Sequence, residues 1–170
     1  MADRSKPPLI VGFDTQILIW GFRKKGTELQ RQRAQWLYMY LDSLDSGFEV
    51  IVPVIALTEY LSGVPVQRRE HVIASLTSAG YTLAQFDIDC TLLATKIFED
   101  QLSVADRSVD GWRTKLRADT LIAATAARKG ATMFYSNDAG CRAVATLAGM
   151  TARDLPDHEP TTQKHLWTED

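Results

Sequence analysis

No stretch of the 170-residue sequence approaches the roughly 20 consecutive apolar residues a membrane helix needs, so no helical membrane span is expected. The apolar run Leu9 to Phe13, after the polar start "MADRSKPP", is too short for the core of a signal peptide. Only two cysteines are present, Cys90 and Cys141, far apart and without C-x-x-C spacing. That excludes a disulfide framework and fits a reducing compartment. The three histidines (His71, His158 and His165) have no ligand spacing with a cysteine, which argues against zinc. With 10 glycines and 6 prolines there are no low-complexity blocks, and no Gly-rich phosphate loop occurs. A net charge of -2 gives no global pull toward nucleic acid, so any such binding must use local basic patches. The expectation is a soluble, cytoplasmic protein, long enough to bury a core in one domain.

What is present is an alternation of short apolar runs with longer helical patterns, the signature of an α/β domain. "PLIVGFD" reads as a strand ending at Asp14. Thr27 to Gln30 reads T-x-x-Q, a capping box, and opens a helix with Leu29, Trp36, Leu37, Tyr40, Leu41 and Leu44 at helical spacing. "FEVIVPV" is the next strand, followed by the helix "PVIALTEYLSG" and a further helix over Pro65 to Ala79. "YTLAQFD" reads as a short strand, Cys90 to Val104 as a helix, and "ADRSVDGWR" as a loop around the turn signal Asp110-Gly111. "TKLRADTLIAATAARKG" is an alanine-rich helix, "ATMFYSND" a strand, "AGCRAVATLAGM" a helix and "TARDL" an edge strand. This order predicts a central, mainly parallel five-stranded sheet with helices on both faces. Residues 1–8 are expected as a flexible N-terminus, 9–156 as the domain and 157–170 as a polar tail.

In open α/β sheets ligands bind at the carboxyl ends of the strands, so strand-end residues are the first candidates for chemistry. Asp14 ends the first strand and Asp138 the fourth. Glu59 lies in the helix after the second strand, and Asp119 in the helix leading into the fourth. Each has an ordinary explanation: Asp138 as a helix N-cap, Asp14 as a turn residue, Glu59 as a solvated helix residue. Asp119 resists one, because its helical neighbours Ile122 and Ala123 are apolar. Two carboxylates about 4 Å apart repel by roughly 4 kcal/mol at an effective dielectric near 20. Four gathered at one sheet edge therefore need protonation, basic partners or a divalent cation, and all-oxygen donors suit Mg²⁺ or Mn²⁺.

In order along the chain these segments resemble the PIN domain, a metal-dependent ribonuclease fold found in many toxins of bacterial toxin–antitoxin pairs. "VGFDTQILI" resembles the family's first strand and acid, and "VIVPVIALTEYLSG" its second strand and the helix bearing its glutamate. "LRADTLIAATAARKGATMFYSND" resembles its A-D-x-x-I-A-A-x-A helix and T-N-D strand end, and "GMTARDL" its closing edge strand. Gln16 departs from the asparagine common two residues after the first acid, and residues 99–117 match nothing specific. The resemblance implies a Mg²⁺- or Mn²⁺-dependent ribonuclease whose catalytic metal ligands are Asp14, Glu59, Asp119 and Asp138. It further implies 5′-phosphate and 3′-hydroxyl products, an antitoxin partner and a homodimer, and it gives Ser136 and Asn137 supporting hydrogen bonds at the metal site.

RNA would need basic groups around the acids: Arg23, Lys24 and Lys25 after the first strand, and Arg113, Lys115 and Arg117 before Asp119. Trp20, Phe22 and Trp112 are candidates for base stacking. The rival readings are a catalytically idle PIN-like module that binds RNA or protein, and a Mg²⁺-dependent small-molecule phosphotransferase. The second is disfavoured because the first strand ends D-T-Q, without D-x-D.

Overall fold

The computed structural model of the chain describes residues 7–102 and 112–160. In chain order the elements are β1 (Leu9–Phe13), α1 (Thr15–Phe22), α2 (Glu28–Asp42), β2 (Phe48–Pro53), α3 (Val54–Ser62) and α4 (Val66–Ser78). They continue with β3 (Thr82–Ala84), α5 (Ile88–Leu102), α6 (Trp112–Arg128), β4 (Met133–Tyr135), α7 (Ala139–Leu147) and β5 (Thr151–Arg153). The five strands form one sheet in the order β3-β2-β1-β4-β5, with every pairing parallel. The expected α/β architecture is therefore present, and the sheet is wholly rather than mainly parallel.

Strand β1 is central because its sequence allows burial on both sides. Val11 and Phe13 are fully buried, as are Phe134 and Tyr135 on β4 beside it. Each large apolar side chain so buried contributes roughly 1.5–3 kcal/mol. Right-handed crossovers put α1–α4 on one face of this sheet and α5–α7 on the other. In keeping with that, α1 packs on α2 and α3, while α6 packs on α5 and α7. Gly12 lets α6 lie close to β1: a Cβ there would sit 2.8 Å from the Ala126 methyl and 2.9 Å from the Phe134 ring.

The capping box at Thr27 forms as expected, with Gln30 N–H donating to Thr27 Oγ1 at 3.2 Å and Thr27 N–H to Gln30 Oε1 at 2.8 Å. One helix was not expected. "TQILIWGF" folds as α1, capped by the Asp14 carboxylate, which accepts from Ile17 N–H at 3.1 Å. Its residues are apolar on nearly every side, so no amphipathic period betrays a helix, and the sequence pattern assigns this run to no element. The loop expected around Asp110-Gly111 falls largely outside the described residues, as do Leu166 and Trp167. Among the described residues no helix is long and apolar enough to cross a membrane.

Candidate active site

Strand order reverses direction between β1 and β4, so the chains leaving these two neighbours diverge and open a crevice at their carboxyl ends. Asp14 follows β1 directly, and its N–H still reaches Tyr135 O on β4 at 3.3 Å. Asp138 lies three residues beyond the end of β4. Glu59 arrives on α3 and Asp119 on α6. All four line a cleft of about 100 Å³, together with Thr15, Gln16, Ile122 and Cys141. The sequence-predicted acids are thus brought to one place by four different elements.

Hydrogen bonds hold several of these oxygens. Asp14 Oδ2 accepts from Ser136 Oγ, while Oδ1 caps α1. Ser136 Oγ also accepts from Asp138 N–H at 3.0 Å, tying the two strand ends together. Asp138 Oδ1 caps α7 by accepting from Cys141 N–H at 3.0 Å. Thr15 Oγ1 donates to Glu59 Oε2, fixing an otherwise exposed glutamate against β1's end. Burial pushes the Asp14 carboxyl up from its ordinary 3.8 to about 6, against the hydrogen bonds from Ser136, Ile17 and Gln16, and the Asp138 charge adds to the rise. Burial likewise pushes the Cys141 thiol well up, helped by the Asp119 and Asp14 charges, so Cys141 is a neutral part of the cleft wall.

A hard divalent cation fits this donor set in kind: the polar lining atoms are overwhelmingly oxygens, and a cation would reverse the cost of ionising buried Asp14. Among the described residues, however, no three acids stand gathered as a ready coordination shell. Ligation would draw the carboxylates inward across the cleft.

Other candidate residues take distinct places. Asn137 Oδ1 accepts from Arg33 Nη1 at 2.7 Å, and Asn137 is not among the residues that line the cleft. Arg23 is half-buried, lies 5.8 Å over the Tyr60 ring and donates to Tyr60 O at 3.4 Å, engaging the last turn of α3. Gly63 makes room for it, since a Cβ there would fall 2.1 Å from Arg23 Nη1. Lys24, Lys25 and Arg117 are exposed, whereas Arg113 and Lys115 lie outside the residues whose side chains are described. Trp20 is buried in the core, and Phe22 packs edge-on against Tyr38 and Tyr81. Sequence reasoning passed over Thr15, Arg33, Arg142 and Cys141; a hydroxyl beside an acid was the one available hint, at Thr15.

A search of curated protein sequences found no match. Among solved structures the chain is similar to FitAcB from Neisseria gonorrhoeae, at 19% identity and a TM-score of 0.53 over 84% of this chain and 95% of that one. It is also similar to VapBC2 from Rickettsia felis bound to a DNA fragment from their promoter, at 14% identity and a TM-score of 0.58, covering 86% and 99%. DNA-bound VapBC from Salmonella typhimurium gives 18% identity and a TM-score of 0.52, covering 86% and 98%. At such identities the likeness speaks for the fold alone. The sequence itself matches the PIN domain family model over residues 12–147, a span that contains all four acids of the cleft, and the chain belongs to the PIN domain family.

Proposed function

We propose that this chain is a divalent-metal-dependent endoribonuclease of the toxin type, hydrolysing RNA phosphodiester bonds at the Asp14–Glu59–Asp119–Asp138 cleft. The observation that carries the reading is the convergence of these four acids, from four elements, on one small cleft at the β1/β4 divergence. When bound, Mg²⁺ or Mn²⁺ supplies a lowered pKa for water and offsets charge on the scissile phosphate. The protein's part is to present the ligands. Ser136 fixes the direction of Asp14, Thr15 that of Glu59, and the α7 cap that of Asp138. The first-turn N–H groups of α7 add positive potential for a phosphate oxygen. Lys24, Lys25 and Arg117, all exposed, are the groups proposed to meet RNA phosphates, with Arg113 and Lys115 as further candidates. An antitoxin is the proposed protein partner, a reading supported by the family and by the two-component VapBC and FitAcB neighbours. A cytoplasmic location and a homodimer are proposed on the same family grounds.

Metal binding and cleavage test this together. Mn²⁺ at 100 times its dissociation constant is expected to stabilise the protein by about 2.7 kcal/mol, read as a rise in melting temperature. Asp119→Asn should remove most of that rise, and excess EDTA should stop cleavage of total cellular RNA. Cleavage that persists in EDTA rules out the metal reading. A folded protein that neither shifts with Mn²⁺ nor cuts RNA is instead an idle binding module of the same fold.

A further inference from the structure

Outside the cleft, the densest polar construction in the described chain surrounds Arg33, in the middle of α2. Its side chain is 13% exposed and every arm of the guanidinium is engaged. Nε donates to Pro156 O at 3.0 Å, Nη1 to Asn137 Oδ1 at 2.7 Å and Nη2 to Leu155 O at 2.5 Å. Asp154 and Asp157 add carboxylates at 3.1 and 3.0 Å. A second arginine, Arg142 on α7, donates to Ser136 O at 2.8 Å and approaches the other Asp154 oxygen at 3.3 Å. Asp154 therefore bridges two guanidinium groups, each of which also donates to the loop 136–138.

That loop is the segment whose inner side makes the site. Ser136 donates to Asp14, Asp138 N–H donates to Ser136 Oγ, and Asp138 lines the cleft. Ser136 N–H is in turn held by Arg153 O at 3.1 Å, on the strand that leads into Asp154. β5 and the α7 cap hold the two ends of this loop, which leaves Asn137 between them, and a shift of about 1 Å is enough to spoil a catalytic geometry.

We infer that Arg33 is a positioning residue for the Asp14–Asp138 pair, acting through Asn137 and through the segment Asp154–Asp157, both of which it binds. The inference rests on the reading of the cleft as a metal-dependent nuclease site. The bonds described for Arg33 go to Asn137 and to the segment Asp154–Asp157, neither of which lines the cleft; it acts on Asp138 by fixing the Asn137 side chain and that segment. A lysine cannot replace it, because one ammonium cannot serve three acceptor directions in a plane.

The test compares the full-length wild type with Arg33→Met and Arg33→Lys, and with Leu76→Ala, a buried change on α4 outside this network. Two readouts are needed. The first is amide hydrogen exchange at Asn137 to Cys141 in the metal-free protein, measured well below the melting temperature. The second is the Mn²⁺ concentration giving half-maximal RNA cleavage, with kcat and KM separated. Positioning residues around metal ligands typically alter metal affinity or activity by about 10–100-fold. Both Arg33 variants are expected to speed exchange at Asp138 and Cys141 at least tenfold, to raise the half-saturating Mn²⁺ by a similar factor and to leave KM for RNA within about twofold. Leu76→Ala should lower the melting temperature and leave all three unchanged. If exchange and half-saturating Mn²⁺ stay at wild-type values in Arg33→Met while only the melting temperature falls, Arg33 is a simple staple and the inference is overturned. Full rescue by Arg33→Lys overturns it as well. Should the wild type neither bind Mn²⁺ nor cleave RNA, the nuclease reading fails, and the exchange readout still decides whether Arg33 sets the loop.

Discussion

Replacing Asp14 with asparagine is expected to abolish Mn²⁺-dependent RNA cleavage and, in the metal-free protein, to make the fold more stable at neutral pH. The carboxyl is 5% exposed and titrates at about 6 rather than 3.8, with burial as the main cause. A carboxyl whose folded pKa lies above its unfolded value binds more protons in the folded state between those two values. Its contribution is fully present below about pH 4 and is lost as pH rises through 6, at a cost of roughly 3 kcal/mol by neutral pH. Asparagine carries no charge to bury, and its amide oxygen can keep the α1 cap from Ile17 N–H. Its amide nitrogen can face Ser136 Oγ, which is able to accept. The stability difference between Asp14→Asn and wild type should therefore grow by about 3 kcal/mol between pH 4 and pH 7. For a chain of this size that is a relative melting shift of roughly 6–12 °C. Denaturant titration at both pH values in EDTA checks it. A pH-independent difference would mean that Asp14 is already neutralised by a partner in the bare protein.

Gly12→Val should produce the second large effect, this time a loss. The Cβ position already lies under 3 Å from the Ala126 methyl and the Phe134 ring, and valine adds two more carbons in a close-packed layer. Overpacking of this kind costs typically 1–3 kcal/mol, and the top of that range is expected where the obstacle is a helix on a central strand. The consequence extends to the cleft. Ala126 is two helical turns beyond Asp119, so lifting α6 off β1 displaces the helix that delivers this acid. Gly12→Ala combined with Ala126→Gly should recover part of what Gly12→Ala alone loses, beyond the roughly 1 kcal/mol that glycine costs inside a helix. Melting curves of the two single variants and the pair measure that coupling, and strict additivity would show that the close approach is not what limits packing.

Three of the acids were legible because they sit where a periodic pattern breaks, while Glu59, an exposed helix residue, stood out only through the family resemblance. Asp14 stops an apolar strand, Asp138 follows one, and Asp119 interrupts an apolar helix stripe. The sheet was legible for the same reason, from buried runs alternating with helical ones. Helix α1 was not, because eight residues with almost no polar side offer no period to read. Arg33 left no local signal at all: Asn137 is 104 residues away and the carbonyls of Leu155 and Pro156 are further still. Asp157 looked like the start of a polar tail, and its tie to Arg33 depends on β5 returning beside β4. Arg23 read as part of a basic run with Lys24 and Lys25, but a guanidinium next to a glycine and a tyrosine ring packs, whereas the two lysines stay in water.

The way the cleft's oxygens are satisfied also sets how a metal would come and go. Asp14 has one oxygen on a helix N–H and the other on a serine hydroxyl; Asp138 caps α7, and Glu59 accepts from a threonine. The bare protein thus keeps its acids in place without an ion, and an arriving cation competes with bonds that already exist. If the cleft takes a metal, the fold around it does not wait on the ion, because these bonds hold without it. Removing metal with a chelator and then restoring Mn²⁺ should return full cleavage within the mixing time, with no refolding phase between.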